Sequence, residues 1–211
     1  AGLRRKSRID ETAEKLAASD AVRAVKFAEV VVLLVDAERG IEHQDLTIAE
    51  LATDEGRALV IAINKWDVVA DKQNRLRALR SEIDDKLAQV PGVPVVAISA
   101  LAEQGLERLV AAIRCARETW NRRLPTPELN RWLREAVERH QPPAVKGRRI
   151  RIRYITQPAT RPPTFVAFCS QPKGVPASYL RYLTNGLRQA FGLPGTPIRL
   201  TLKKGANPYA K

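Results

Sequence analysis

Three runs of apolar residues dominate the first half of the chain: "VVVLLVD" (30–36), "ALVIAIN" (58–64) and "VPVVAIS" (93–99). None of them alternates apolar with polar residues. A strand with one face in water alternates, whereas a strand that is apolar throughout is buried on both faces, as in a parallel sheet between two helical layers. Each run is followed by a stretch with helical spacing. Leu46, Ala49 and Ala52 mark a helix near 43–55, Leu76, Leu79, Ile83 and Leu87 one over 73–89, and Leu106, Leu109, Val110 and Ile113 one over 105–119. Strand–helix alternation with short links predicts an α/β fold, a doubly wound parallel sheet. Ligands of such sheets bind at the carboxyl ends of the strands.

The second half has a different composition. Residues 1–120 carry 18 Lys and Arg against 20 Asp and Glu, and residues 121–211 carry 18 against 3, with no acidic side chain after Glu138. The break predicts a domain boundary near 120, and the uniformly basic half calls for a polyanionic partner. After "NRRLPTPE" (121–128), Thr126 is expected to cap a helix with Pro127 at its first position and Leu129, Trp132, Leu133, Ala136 and Val137 on its apolar stripe. "RRIRIRYIT" (148–156) is expected to form one half-exposed strand, paired across the turn "QPATRPP" with "TFVAFCS" (164–170). A helix over 176–191 should end at Gly192, and "PIRLTLKK" (197–204) should add a strand, giving the order α-β-β-α-β.

No apolar run approaches the length of a membrane span, and the charged start "AGLRRKSRIDE" has no signal-peptide core. The chain contains no Met, so Ala1 is not expected to be its natural start. Cys115 and Cys169 have no neighbouring Cys or His at ligand spacing and are expected to be buried thiols in a reduced, cytoplasmic setting. His43 and His140 stand alone, which suits surface or structural roles.

Two polar clusters fall at predicted strand ends: Asn64-Lys65-Trp66-Asp67 and Ser99-Ala100-Leu101. Guanine offers O6 and N7 as acceptors and its N1–H and N2 amine as donors. The Asp67 carboxylate can accept from both donors, the Asn64 amide can donate to the acceptor edge, and the Lys65 stem can lie along the purine. Ser99 can hold Asp67, and the Ala100 N–H can reach O6. Adenine reverses the polarity at two of these positions, and a site that leaves buried polar groups unpaired rejects the wrong base by roughly 10⁴ or more.

With these clusters the chain resembles a translation-factor-class GTPase, "NKWD" corresponding to the guanine-specificity motif and "ISAL" to the final base-contacting motif. The stretches "AGLRRKSRI", "AVRAVKFAEVVVLLVDAERGIEHQD", "RPPTFVAF" and "AFGLPGTPIRL" resemble the Der (EngA) family of bacterial GTPases. That resemblance implies a partial P-loop GTPase-type domain over 1–120 and a small α+β KH-like domain over 121–211. It further implies binding of GTP or GDP with Mg²⁺, with K⁺ assisting, and a role in large-subunit ribosome assembly. The expected partners are the large ribosomal subunit with its rRNA and an N-terminal GTPase domain of the same parent chain, with no membrane involved. Gly2 corresponds to the γ-phosphate-sensing glycine, and Leu3 stands where many small GTPases carry a catalytic Gln. Gly2, Asn64, Lys65, Trp66, Asp67, Ser99, Ala100 and Leu101 are thus the expected GTP-binding residues, and no catalytic residue or protein metal ligand is assigned.

The chain departs from such a GTPase in one respect. No G-x-x-x-x-G-K-[S/T] string occurs in it, so the loop that cradles the phosphates and the Mg²⁺-binding hydroxyl are missing from these 211 residues, and the chain alone is not expected to hydrolyse GTP. In the basic half, Arg148, Arg149, Arg151 and Arg153 are candidates for RNA or phosphate contact, with the last three on one face of the expected strand. Gly192-Leu-Pro-Gly195 spells the KH-type G-x-x-G but sits between a helix and a strand, where a helix stop and turn is the better reading. A non-catalytic RNA- or partner-binding module and another NKxD GTPase, such as one in tRNA modification, are the competing readings.

Overall fold

The computed structural model describes residues 22–145 and 148–205. The described residues separate into two compact units, divided between 118 and 119, with 194–197 belonging to the first.

The first unit is built on three parallel strands in the order β1 (Val30–Asp36), β2 (Ala58–Asn64), β3 (Val95–Ala97), connected by helices α1 (His43–Asp54) and α2 (Lys72–Lys86). Every residue from Ala58 to Ile63 is at most 1% exposed, which is why this run contains no polar residue before Asn64. Ala49 and Ala52 of α1, and Ile83 of α2 with Leu87 at its C-cap, cluster with Leu33, Val35, Leu59 and Ile61, so both helices share that side of the sheet. Val60 and Ala62 point to the other side and are equally buried. Both helices are capped at their N-termini. Glu42 and Asp45 form a capping box ahead of α1, with Glu42 N–H donating to Asp45 Oδ2 at 3.0 Å. Asp71 caps α2 by accepting from Asn74 N–H at 3.2 Å. Helix α3 (Leu106–Trp120) follows β3.

Parallel pairing without a register shift is the feature that matters for function. Val30 lies opposite Ala58 and Asp36 opposite Asn64, while Ile61 and Ile63 lie opposite Val95 and Ala97. All three strands therefore end at one edge. Strand β3 is shorter than the sequence run because Pro94 can only accept there, from Ile61 N–H at 2.8 Å.

In the second unit, helices α4 (Thr126–Arg139) and α5 (Ala177–Ala190) pack on one face of a three-stranded sheet. The sheet order is β6 (Ile152–Thr160), β7 (Pro163–Cys169), β8 (Arg199–Lys204), antiparallel and then parallel. Leu129, Trp132 and Leu133 meet Leu183 and Leu187 over Ile155, Phe165 and Ala167. Gly186 sits mid-helix because a Cβ there would lie 3.0 Å from the Trp132 indole. Asn130 accepts from Ile155 N–H at 3.0 Å and donates to Ile155 O at 2.9 Å, fastening α4 to β6. Buried Gln157 accepts from Leu124 N–H at 2.7 Å and donates to Arg122 O at 2.9 Å, fixing the loop that leads into α4.

Several expectations are corrected here. Helix α4 starts one residue earlier than proposed, with Pro125 rather than Thr126 at the cap and no side-chain cap bond. "RRIRIRYIT" is not one strand. Arg148–Arg149 form β5, paired with β4 (Ala144–Val145) in a separate ribbon, and β6 starts at Ile152 with a bulge before Tyr154. "QPATRPP" is mostly strand, since β6 pairs on to Thr160 through a second irregularity around Gln157 and Pro158. Cys169 is buried, and burial raises its thiol pKa, but Cys115 is exposed on α3. Among the described residues, no helix is long and apolar enough to cross a membrane.

Candidate functional site

Where the three parallel strands end, the chain carries charge and amide groups instead of apolar side chains, and short hydrogen bonds cross-link the emerging loops. Ala37 N–H donates to Asn64 O at 2.9 Å and Trp66 N–H to Ile98 O at 3.0 Å. The Asn64 side chain adds a third link, its Oδ1 accepting from Ala100 N–H at 3.0 Å. That bond fixes the amide orientation, because only the oxygen can accept. The amide nitrogen is thereby kept as the donor that Asn64 can offer to a base. Ala100 N–H, expected from the sequence to reach a guanine oxygen, is engaged with Asn64.

Lys65 takes a left-handed backbone (φ 63°), unusual for a side chain with a Cβ. Its ammonium lies 2.8 Å from Asp36 Oδ2, and Asp36 Oδ1 accepts from Glu38 N–H at 3.0 Å. Asp36 is only 6% exposed, while the Lys65 side chain keeps 56% of its surface. The Lys65 hydrogen bond, chiefly, holds the Asp36 carboxyl below its ordinary pKa despite the opposing effect of burial. The pair anchors the head of Lys65 and leaves its stem on the surface, as contact with a flat ring requires.

Asp67 is exposed and is positioned from below. Ser99, 0% exposed, hydrogen-bonds to the carboxylate through its side chain, and this is the main reason the Asp67 pKa is lowered. Ser99 Oγ accepts in turn from Ala102 N–H at 3.1 Å. The loop closes through reciprocal backbone bonds between Ser99 and Gln104, both 3.0 Å. Gly105 (φ 75°) makes that closure possible, since a Cβ would sit 2.6 Å from Ala97 O. Leu101 stands at the loop tip, 90% exposed.

The structure thus brings together Asn64, Lys65, Asp67, Ser99, Ala100 and Leu101. Trp66 departs from the group: its indole packs on Ala37, Ile63 and Leu79, beneath the loop. Gly2 lies outside the described residues. Arg149, Arg151 and Arg153 belong to the second unit, where all three are exposed, and the Arg148 side chain lies outside the described residues. The sequence reading missed Asp36, Ala102 and Gly105. Asp36 could have been found, because it ends its apolar run just as Asn64 ends the next.

The donor set fits guanine: a carboxylate acceptor held by a serine, an amide nitrogen left as donor and an aliphatic stem alongside. Among the described residues no group of three or more His, Cys, Asp or Glu side chains is placed to hold a metal ion.

The Asp36–Lys65 pair has a consequence for pH dependence. A carboxyl with a depressed folded-state pKa adds stability above its unfolded value, about 3.9, and loses it as pH falls through the folded value. Asp36→Asn is expected to cost about 1 kcal/mol at neutral pH, a modest figure because Lys65 is half exposed. Urea unfolding of both proteins from pH 7 to pH 3 checks this: the difference should shrink below about pH 4, and a difference constant with pH would contradict the pairing.

Residues 123–203 match the family described as "KH-domain-like of EngA bacterial GTPase enzymes, C-terminal", and residues 18–118 match "Elongation factor Tu GTP binding domain". The chain is 56% identical over 210 residues to GTPase Der of Bradyrhizobium sp. (strain BTAi1), covering 100% of this chain and 46% of that protein. It is 57% identical over 210 residues to GTPase Der of Azorhizobium caulinodans, with the same coverage. The chain therefore spans about half the length of the curated relatives it matches. A solved structure of Era in complex with MgGDPNP and nucleotides 1506–1542 of 16S ribosomal RNA is 19% identical, with a TM-score of 0.47, covering 97% of this chain and 74% of that one. On the identity maintained along its full length, the chain belongs to the Der (EngA) GTPase family.

Proposed function

We propose that residues 1–120 form the guanine-reading portion of a GTP-hydrolysing domain and residues 121–211 a basic KH-like domain that docks on ribosomal RNA. The parent protein acts in the cytoplasm in assembly of the large ribosomal subunit. Nucleotide state governs docking, and an N-terminal GTPase domain of the same parent chain is a further partner. One observation carries the nucleotide part: Asp67 and Asn64 are held ready at adjoining strand ends, the first by Ser99 and the second by Ala100 N–H. Preorganised groups of this kind need no rearrangement when the base arrives, which favours both affinity and discrimination. Asn64, Lys65, Asp67, Ser99, Ala100 and Leu101 form the base site, and the Trp66 indole supports it from below.

Phosphate and Mg²⁺ binding is assigned to no described residue. Gly2 remains the proposed γ-phosphate contact, and K⁺ assistance follows from the family resemblance alone. When bound, the metal would neutralise phosphate charge. What this chain's own residues supply is selection and orientation of the base.

The basic unit supports the RNA part. Its charge imbalance persists in the folded chain, where Arg149, Arg151 and Arg153 are exposed and no acidic side chain follows Glu138 in the sequence.

Two outcomes test these proposals. Saturation-transfer NMR on the 211-residue chain should show GDP binding lost in Asp67→Asn, with xanthosine diphosphate gaining what GDP loses, because an amide suits the extra carbonyl of xanthine. Equal GDP signals in both proteins would remove Asp67 from the base site. For the RNA part, replacing Arg149, Arg151 and Arg153 by Gln should reduce the slope of log K against log salt by about 2 for unpaired RNA, at roughly 0.7 per phosphate contact. Large-subunit particles titrated across a salt series provide the measurement. An unaltered slope would move these arginines out of the RNA interface.

A further inference from the structure

The sheet of the second unit has two unlike faces. Ile155, Phe165, Ala167, Leu200 and Leu202 point toward α4 and α5 and belong to the core. The register places the intervening residues on the opposite face in cross-strand rows. Tyr154 lies opposite Phe168, which lies opposite Lys203, and Thr156 lies opposite Val166, which lies opposite Thr201. Tyr154 and Phe168 are absent from the core cluster, although residues of these types on a folded sheet are usually found in one, while Val166 beside them is buried. The two rings are neighbours, with centroids 6.1 Å apart and planes tilted by 40°, so they are not stacked flat on one another. Both are half-buried. Lys203 beside Phe168, Arg199 at the start of β8 and Arg153 in the bulge next to Tyr154 are all exposed. Strands β6, β7 and β8 contain no carboxylate.

We propose that this face binds unpaired RNA by stacking bases on the exposed parts of Tyr154 and Phe168 while Lys203, Arg199 and Arg153 meet the flanking phosphates. The proposal deepens the RNA-docking reading above and rests on it. The bases of a duplex are stacked on one another and closed to side chains, whereas unpaired bases splay onto aromatic rings beside a basic track. The charge of the face complements a polyanion, and its hydroxyls at Thr156 and Thr201 can meet polar backbone groups. The Arg149 and Arg151 positions, on the chain that runs up to β6, would then extend the phosphate track beyond the aromatic row.

The test uses the 211-residue chain with two fluorescein-labelled probes, a twelve-nucleotide oligouridylate and a twelve-base-pair RNA duplex. Tyr154→Leu and Phe168→Leu together should weaken the single strand tenfold or more, while changing the salt slope and duplex binding little. Lys203→Gln alone should instead lower the single-strand salt slope by about 0.7. Photocrosslinking of a 5-iodouridine-substituted oligouridylate to the unsubstituted chain should give adducts at Tyr154 or Phe168, a readout that does not depend on the variants folding. Single-strand binding unchanged in the double variant, or adducts found only elsewhere, overturns the proposal. Competition by a glutamate-rich peptide with no oligouridylate adducts would assign the face to an acidic protein and overturn it as well. If neither probe binds in a salt-dependent way, the RNA-docking reading fails with it. If both bind but are indifferent to the two rings, only the stacking proposal falls.

Discussion

Burial of Ala58–Ile63 on both faces is the constraint on which the site depends. A strand enclosed in this way cannot carry polar side chains along its length, so chemistry is confined to its end. Its two neighbours run parallel to it in unbroken register, which brings Asp36 beside Asn64 and the end of β3 beside Ile63. A slip of one residue would turn every side chain of a strand to the opposite face, so the hydrophobic core that fixes the register also fixes the geometry of the site. The polar contacts add precision to that arrangement. Asn64 links to Ala100, Lys65 to Asp36, and Ser99 to both Asp67 and Ala102.

Much of this was legible in the sequence because the signals are local. Unbroken apolar runs mark β1 and β2, and the Asn64-to-Asp67 tetrad carries its chemistry within four residues. What was not legible depends on pairing across the fold. Asp36 ends its apolar run as Asn64 ends the next, but its bond to Lys65 shows only once the two strands are set side by side. Trp66 sits inside the motif, but its indole goes where Ile63, Ala37 and Leu79 leave an apolar place for it. The Arg–Ile alternation of residues 148–153 continues unbroken in sequence, yet the ribbon with Ala144–Val145 and the bulge at Arg153 divide it. Gly105 shows its necessity only once Ala97 O lies 2.6 Å from where a Cβ would be.

The two units solve different problems with similar materials. In the first, charge is concentrated at one edge of a buried sheet and held in pairs. In the second, the two helices pack on one face of the sheet, and aromatic and basic residues share the other, in a stretch of sequence that holds no acidic side chain. A site for a small planar base needs rigid, paired polar groups. A surface for a long polyanion needs distributed charge, whose free energy comes largely from released counterions and so varies with salt.

The central claim is that a carboxylate and an amide at the strand ends read the guanine edge. The most direct measurement compares the affinities of GDP, inosine diphosphate and ADP for the 211-residue chain under one set of conditions. Inosine lacks only the N2 amine and should bind about tenfold more weakly than guanosine, the loss of one hydrogen bond to a charged acceptor. ADP, which sets a lone pair against Asp67, should not compete detectably. Equal affinity for all three would contradict the account, because it would mean that binding ignores the edge of the base.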